Sequence, residues 1–245
     1  MECAGDELLG DAATVYRALS ARLLYLSMDR PEVAFAAKEL CRHFAHPTQT
    51  GVEALKRAVR FLLGLPRLVW AFPFQEHTHD LRVYVDTDFG GCQSTRRSTS
   101  GGIAMRGCHP IKHWSLTQTT IALSSGEAEL GGICRGASLA LGLQSLAKDI
   151  GIDLHVEVLT DATAAIGICR RRGLGKIRHL NVADLWVQDR LRRGDFSLNK
   201  ILGINNPADI LTKHVPRDVM MRHMKSMGIK AETGRAKSAP SLQHA

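Results

Sequence analysis

The chain has 245 residues, 44% of them apolar and 23% charged, the make-up of one or two ordinary globular domains with ample core. No apolar run approaches the ~18 residues of a membrane span, and the N-terminus, Met-Glu-Cys-Ala-Gly-Asp-Glu, lacks the basic and apolar regions of a secretory signal. Six scattered cysteines without a Cys-x-x-Cys pair read as reduced cytosolic thiols rather than a disulfide framework or zinc site, and a net charge of +8 fits a polyanionic partner.

In chain order, residues 1–75 read as a helical segment. A first helix runs from Thr14 to Leu26, with Val15, Leu19, Leu23 and Leu26 as its apolar stripe. Pro31 suits the first turn of a second, to about Phe44, with Val33, Ala36, Ala37 and Leu40 inward. After His46-Pro47-Thr48, a third reaches about Leu63, with Val52, Leu55, Val59 and Leu62 on one face and Lys56, Arg57 and Arg60 on the other. Those basic faces suit docking, a nucleic-acid track or plain packing. Pro66 to Asp80 reads as a linker.

Residues 76–230 read as a second unit. Leu81, Val83 and Val85 alternate with polar residues, a strand that ends at Asp86, with Asp88 and Gly90-Gly91 beyond. Ile103–Met105, a turn at Gly107 and Ile111–Leu116 complete an antiparallel meander. Ser124 and Glu127 form a capping box that opens a helix to about Ile150. Glu129 lies in its first turns beside Gly131, Gly132 and Gly136; glycine in a helix costs roughly 1 kcal/mol against Ala, so close packing on a sheet is expected there. His155–Thr160 is a fourth strand, and Asp161 after it is the natural N-cap of a helix over Ala162–Cys169. A basic cluster follows at Arg170, Arg171, Arg172, Lys176 and Arg178, leading to His179. Asn181–Leu191 is a helix, Phe196–Ile201 a fifth strand, and Asn206-Pro207 opens a final helix with Asp209 in its first turn, where an acid complements the helix dipole. Residues 231–245 read as a disordered tail.

The order is therefore βββαβα(α)βα, a five-stranded mixed α/β sheet, with acids at two strand ends and in the first turns of two helices. Each acid has a local explanation as turn, cap or dipole partner. Four together repel one another unless a cation sits among them, and oxygen-rich clusters of this kind hold magnesium or manganese, often as a pair roughly 4 Å apart. The arginine cluster, with Arg96 and Arg97 in the early hairpin, is expected to contact phosphates.

The layout, with Asp86, Glu129, Asp161 and Asp209 in that order, resembles ribonuclease H. More narrowly, Asp86-Thr-Asp-Phe-Gly-Gly, Thr95-Arg-Arg-Ser-Thr-Ser-Gly, Leu123-Ser-Ser-Gly-Glu-Ala-Glu, Lys176-Ile-Arg-His and Ala208-Asp-Ile-Leu-Thr-Lys resemble the ribonuclease H domain that ends copia-type retrotransposon polyproteins. The resemblance reaches back through Tyr16-Arg-Ala-Leu, Arg30-Pro and Ala58-Val-Arg-Phe-Leu, similar to the connection segment behind the polymerase in those polyproteins. It implies a ribonuclease H-like fold, with those four acids as ligands of two Mg2+ ions, Mn2+ as a possible substitute, and hydrolysis of the RNA strand of an RNA–DNA hybrid. Asp88 and Glu127 are near misses in this register. Implied partners are the hybrid, contacted by Arg96, Arg97, Arg170, Arg171, Arg172, Lys176, Arg178 and His179, and the reverse transcriptase polymerase domain of the same polyprotein, in a cytoplasmic retroelement particle or the nucleus. The chain departs from many ribonucleases H in carrying Gly203-Ile-Asn-Asn-Pro where they have a histidine, which leaves His179 or His214 to serve. Integrases share the fold but place their Glu after both aspartates. An inactive, nucleic-acid-binding remnant is the alternative.

Overall fold

The computed structural model describes residues 7–175 and 185–234. Three helices come first: α1 (Gly10–Leu26), α2 (Ala34–Cys41, entered through a 3-10 turn over Pro31–Val33) and α3 (Gln49–Gly64). Thr48 caps α3 by accepting from the Gly51 N–H at 3.3 Å. Strand β1 (Arg67–Trp70) follows, then β2 (Asp80–Asp88), β3 (Thr99–Arg106), β4 (His109–Thr117), α4 (Ser125–Asp149), β5 (His155–Thr160), α5 (Thr163–Arg170), α6 (Trp186–Arg193), β6 (Ser197–Lys200), α7 (Arg217–Ser226) and β7 (Ile229–Glu232).

Five strands make one sheet in the order β4-β3-β2-β5-β6. β2, β3 and β4 are antiparallel neighbours, whereas β2–β5 and β5–β6 run parallel. This is the ribonuclease H-like arrangement expected from the sequence. The strands' period of two divides the core between the two faces. Leu81, Val83, Val85, Ala104 and Val158 pack under α4, α5 and α6. Ile103 and Met105 point the other way, into a cluster with Ile210, Leu211 and the α7 methionines.

That second face is where the structure departs most from the sequence reading. The segment read as a linker contains β1, and residues 229–232, at the edge of the expected tail, form β7, paired antiparallel with it from Arg67↔Glu232 to Trp70↔Ile229. Ala231 and Glu232 are thus in a strand, and residues 235–245 lie outside the described ones. Ala34 and Leu65 share the cluster of Ile210 and Met224, so the helical segment is packed onto the sheet.

The buried face of α1 also differs. Ala13, Tyr16, Ser20 and Leu23 are buried, while Val15 and Leu19 are exposed. Small residues let α1 approach its neighbours, and the Tyr16 hydroxyl donates to the Leu40 carbonyl at 2.8 Å. A polar residue whose hydroxyl finds a partner can occupy a buried stripe that hydropathy alone assigns to Val15 and Leu19.

Candidate metal centre

β2 pairs with β5 only as far as Tyr84↔Leu159, then runs on beside β3 to Asp88↔Thr99. Asp86 therefore lies inside a strand, not at its tip as the sequence suggested, just past the point where the parallel neighbour ends. β5 ends at Thr160 with Asp161 next, so two carboxylates meet in the gap between diverging strands.

α4 supplies the third. Glu129, Gly132 and Gly136 sit at i, i+3 and i+7 and so share a helix face. A Cβ on Gly132 would lie 2.5 Å from Thr87 Oγ1, and one on Gly136 2.5 Å from Val85 Cγ1. The missing side chains let α4 lie directly on β2, which carries Glu129 to Asp86. Ligand oxygens of Asp86, Glu129 and Asp161 lie within 4.8 Å of one another.

The near misses are explained. Glu127 completes the capping box, accepting from the Leu123 N–H at 2.8 Å while Ser124 Oγ accepts from the Glu127 N–H. Asp161, by contrast, does not cap α5: the N-cap position is Ala162, without a side-chain hydrogen bond. The local explanation of Asp161 fails, and its carboxylate faces the other acids. Gly203 abuts it, since a Cβ there would come within 2.8 Å of Asp161 Oδ2.

Asp209 sits differently from the sequence expectation. The segment after Asn206 is a 3-10 turn, Pro207–Leu211, and the α-helix begins only at Arg217. Buried Asn206 staples that turn to β2, donating from Nδ2 to the Val85 carbonyl at 2.9 Å and accepting from the Ala208 N–H. Asp209 thereby comes close enough to raise the Asp86 pKa but lies outside the tight triad. Lys213 fills the interval, with Nζ 2.9 Å from Asp209 Oδ1 and 3.8 Å from Asp86 Oδ2. Thr212 donates its hydroxyl to Asp86 Oδ2. Both residues fall inside a string singled out in the sequence, but nothing there assigned them a role; the i,i+4 spacing of Asp209 and Lys213 was the available signal.

Burial dominates the electrostatics of the site. Burial, then Asp86 and Asp161, push the Glu129 carboxyl up to about 8, against a hydrogen bond from the Thr87 backbone and the Lys213 charge. Burial raises Asp86 to about 6, although Lys213 and Thr212 oppose it. Glu129 Oε2 is buried and has no hydrogen-bond partner among the described residues. An all-oxygen donor set with an orphaned carboxylate oxygen fits a hard divalent cation.

The basic residues do not converge as one cluster. Arg96 and Arg97 are exposed on the β2–β3 loop, Arg96 with a positive φ of 57°. This loop and the start of β3 are tied to the helical segment: Arg42 donates to Cys92 Sγ, and Lys38 Nζ to Thr99 Oγ1 at 2.7 Å. Arg170, Arg171 and Arg172 lie at the other end of α5 from Asp161, about 12 Å along the helix at 1.5 Å per residue. There Arg170 donates to the Leu198 carbonyl at 2.7 Å and Arg171 to that of Leu174 at 2.5 Å. Arg172 is exposed in part of the same turn, and Lys176, Arg178 and His179 lie outside the described residues. His214 packs edge-on against Phe35 at 4.9 Å.

No protein-family model matches the chain. It is 27% identical over 219 residues to the retrovirus-related Pol polyprotein from transposon RE1 of Arabidopsis thaliana, covering 88% of this chain and 15% of that protein. The corresponding protein from transposon RE2 of the same plant is 28% identical with the same coverage, and that from transposon TNT 1-94 of Nicotiana tabacum is 27% identical over 213 residues, 85% of this chain and 16% of that one. The chain is a homologue of copia-type transposon Pol polyproteins. This Pol homologue spans about 15% of the length of those relatives. Solved structures with a related course include LC11-RNase H1 in complex with RNA/DNA hybrid, 16% identical, with a TM-score of 0.38 over 54% of the Pol homologue and 93% of that chain. The N-terminal RNase H domain of rv2228c from Mycobacterium tuberculosis is 17% identical, with a TM-score of 0.37 over 61% and 99%. Strand order and connectivity define the fold of the chain.

Proposed function

We propose that the chain is a metal-dependent endonuclease that hydrolyses the RNA strand of RNA–DNA hybrids, as the ribonuclease H part of a retrotransposon reverse transcriptase. The observation that carries this reading is the convergence of Asp86, Glu129 and Asp161, from three separate elements, within 4.8 Å, with a buried and unpartnered Glu129 oxygen among them. No fold requires three carboxylates, one buried and two half-buried, to be gathered against one another; the arrangement costs stability unless a ligand offsets it.

Asp86, Glu129, Asp161 and Asp209 would hold two Mg2+ ions, or Mn2+ in their place. Such ions, when bound, polarise a water and stabilise the oxygen that leaves phosphorus. The residues themselves bind and orient. Thr212 and β2 fix the Asp86 carboxylate, and α4, seated by its glycines, fixes Glu129. Arg96 and Arg97 stand on the adjoining loop, exposed and suited to backbone phosphates. Discrimination for the hybrid would come from groove shape and 2′-hydroxyl contacts. The polymerase region of a Pol polyprotein is the second expected partner, in the particle or nucleus where the element is copied. Incubating the purified chain with a labelled hybrid, duplex DNA and duplex RNA in magnesium tests this. Cleavage of the hybrid's RNA strand alone, abolished by chelation, is the expected result. Hybrid binding without cleavage in either magnesium or manganese would instead mark a catalytically inactive nucleic-acid-binding remnant.

A further inference from the structure

Lys213 holds two of the proposed ligands at once. An ordinary i,i+4 ion pair would join it to Asp209 alone, at 2.9 Å. Its ammonium also stands 3.8 Å from Oδ2 of Asp86, a residue only 4% exposed on the central strand. Asp209 is the one expected ligand outside the tight triad, and the charge between it and the triad is this ammonium. On its other side Lys213 borders a cavity of about 890 Å3 between α2, α3 and the segment 210–215, whose walls include Glu39, His43 and Phe61. The side chain is half exposed, so it can withdraw from the acids without unfolding its turn.

We propose that Lys213 is a built-in countercation of the acidic cluster: it neutralises Asp86 and Asp209 in the metal-free protein, and a divalent cation that these two acids would hold must displace it. The inference rests on the metal reading above. It has two consequences. The metal-free fold keeps Asp86 and Asp209 close without an ion, because one positive charge offsets their repulsion. A cation that Asp86 and Asp209 would hold competes with an ammonium already there, so it would bind more weakly than one that Asp86, Glu129 and Asp161 would hold. Lys213 is thus a positioning residue that sets how much metal the site demands.

The test uses manganese titration by calorimetry, together with thermal melting in a chelator, on the full chain. Wild type is expected to bind Mn2+ in a strong and a weak step. Lys213→Met should tighten the weak step by about tenfold or more, because the cation no longer has to displace an ammonium from the two carboxylates. The same variant should melt lower in chelator, Lys213→Arg should behave as wild type in both assays, and adding Asp209→Asn to Lys213→Met should restore the metal-free melting temperature. A Lys213→Met protein with an unchanged manganese titration would reduce Lys213 to a structural ion pair and overturn the inference, whatever its melting temperature. Wild type that binds no manganese would overturn the metal reading itself and this inference with it; strong binding lost on Asp86→Asn but unaltered by Lys213→Met would overturn the inference alone.

Discussion

At the scale of single residues, burial and mutual repulsion set the chemistry of the site. With Glu129 near 8 and Asp86 near 6, the native protein holds protons that the unfolded chain, with ordinary carboxyl values, has released. Where the native state binds more protons, stability falls as pH rises. In chelator the melting temperature should therefore drop between about pH 4.5 and pH 8, and metal affinity should climb over the same window as the ion displaces protons. A chelated protein whose melting temperature rises through that window would contradict the burial of these acids. Asp86→Asn is expected to abolish hybrid cleavage with melting in chelator kept or raised, because a neutral amide relieves repulsion but is a poorer ligand for a cation. If Asp86 served only as the acceptor of the Thr212 hydroxyl, Asn would leave activity near normal, and cleavage assayed beside melting separates the two cases. The identity of these acids was legible in the sequence because each sits in a recognisable local string. Lys213 was not, since its second contact joins residues far apart in the chain, which no spacing rule reaches.

Among the elements, α4 decides whether the site exists, and its glycines are not equivalent. Gly136→Ala drives a methyl against Val85 in the packed sheet and should cost ~1–3 kcal/mol, offset in part by about 1 kcal/mol of helix propensity. Gly132→Ala presses on Thr87 beside Asp86, so it should weaken metal binding more than it lowers the melting temperature. Gly142, in the same helix, faces open space, and Gly142→Ala should stabilise the protein by about 1 kcal/mol. Denaturant titrations of the three variants, with manganese binding for Gly132→Ala, check these signs; equal effects at all three positions would mean that α4 does not need its close approach. The glycines' purpose was readable from sequence because their helix cost demands a return. β1 and β7 were not readable: each is four residues long, β1 does not alternate, the alternation of β7 is too short to mark a strand, and they pair across most of the chain. The α1 face was misassigned for a related reason, as the burial of Tyr16 and Ser20 depends on neighbours the helix does not announce.

For the whole molecule, charge and core make separate demands. Only part of the positive charge is available to a polyanion, since Arg170 and Arg171 spend hydrogen bonds on the protein's own carbonyls. Four phosphate contacts would give a slope of log affinity against log salt of about −3, at ~0.7–0.9 per phosphate. Neutralising Arg96, Arg97 and Arg172 should flatten that slope, whereas Arg170→Ala should mainly lower the melting temperature; a slope unmoved by the triple change would leave these arginines as solvated surface. The core makes the stronger demand. A boundary at residue 75 would cut β1 from β7 and strip Leu65 and Ala34 from the cluster that covers Ile103, Met105 and the α7 methionines. Phe61 packs against both this cluster and the one inside α1–α3, so the two are joined through one side chain. Uncovering large apolar side chains costs about 1.5–3 kcal/mol each, a large share of the stability of an ordinary domain. A chain starting at residue 76 should therefore be poorly soluble and lack a cooperative melt, rather than lose only its affinity for the hybrid. The intact chain, in turn, should unfold in a single denaturant transition seen alike by Trp70, beside the helical segment, and Trp114, under α4. Two separated transitions, or a well-folded chain beginning at residue 76, would show that the helical segment is an appended domain and not the second wall of the sheet.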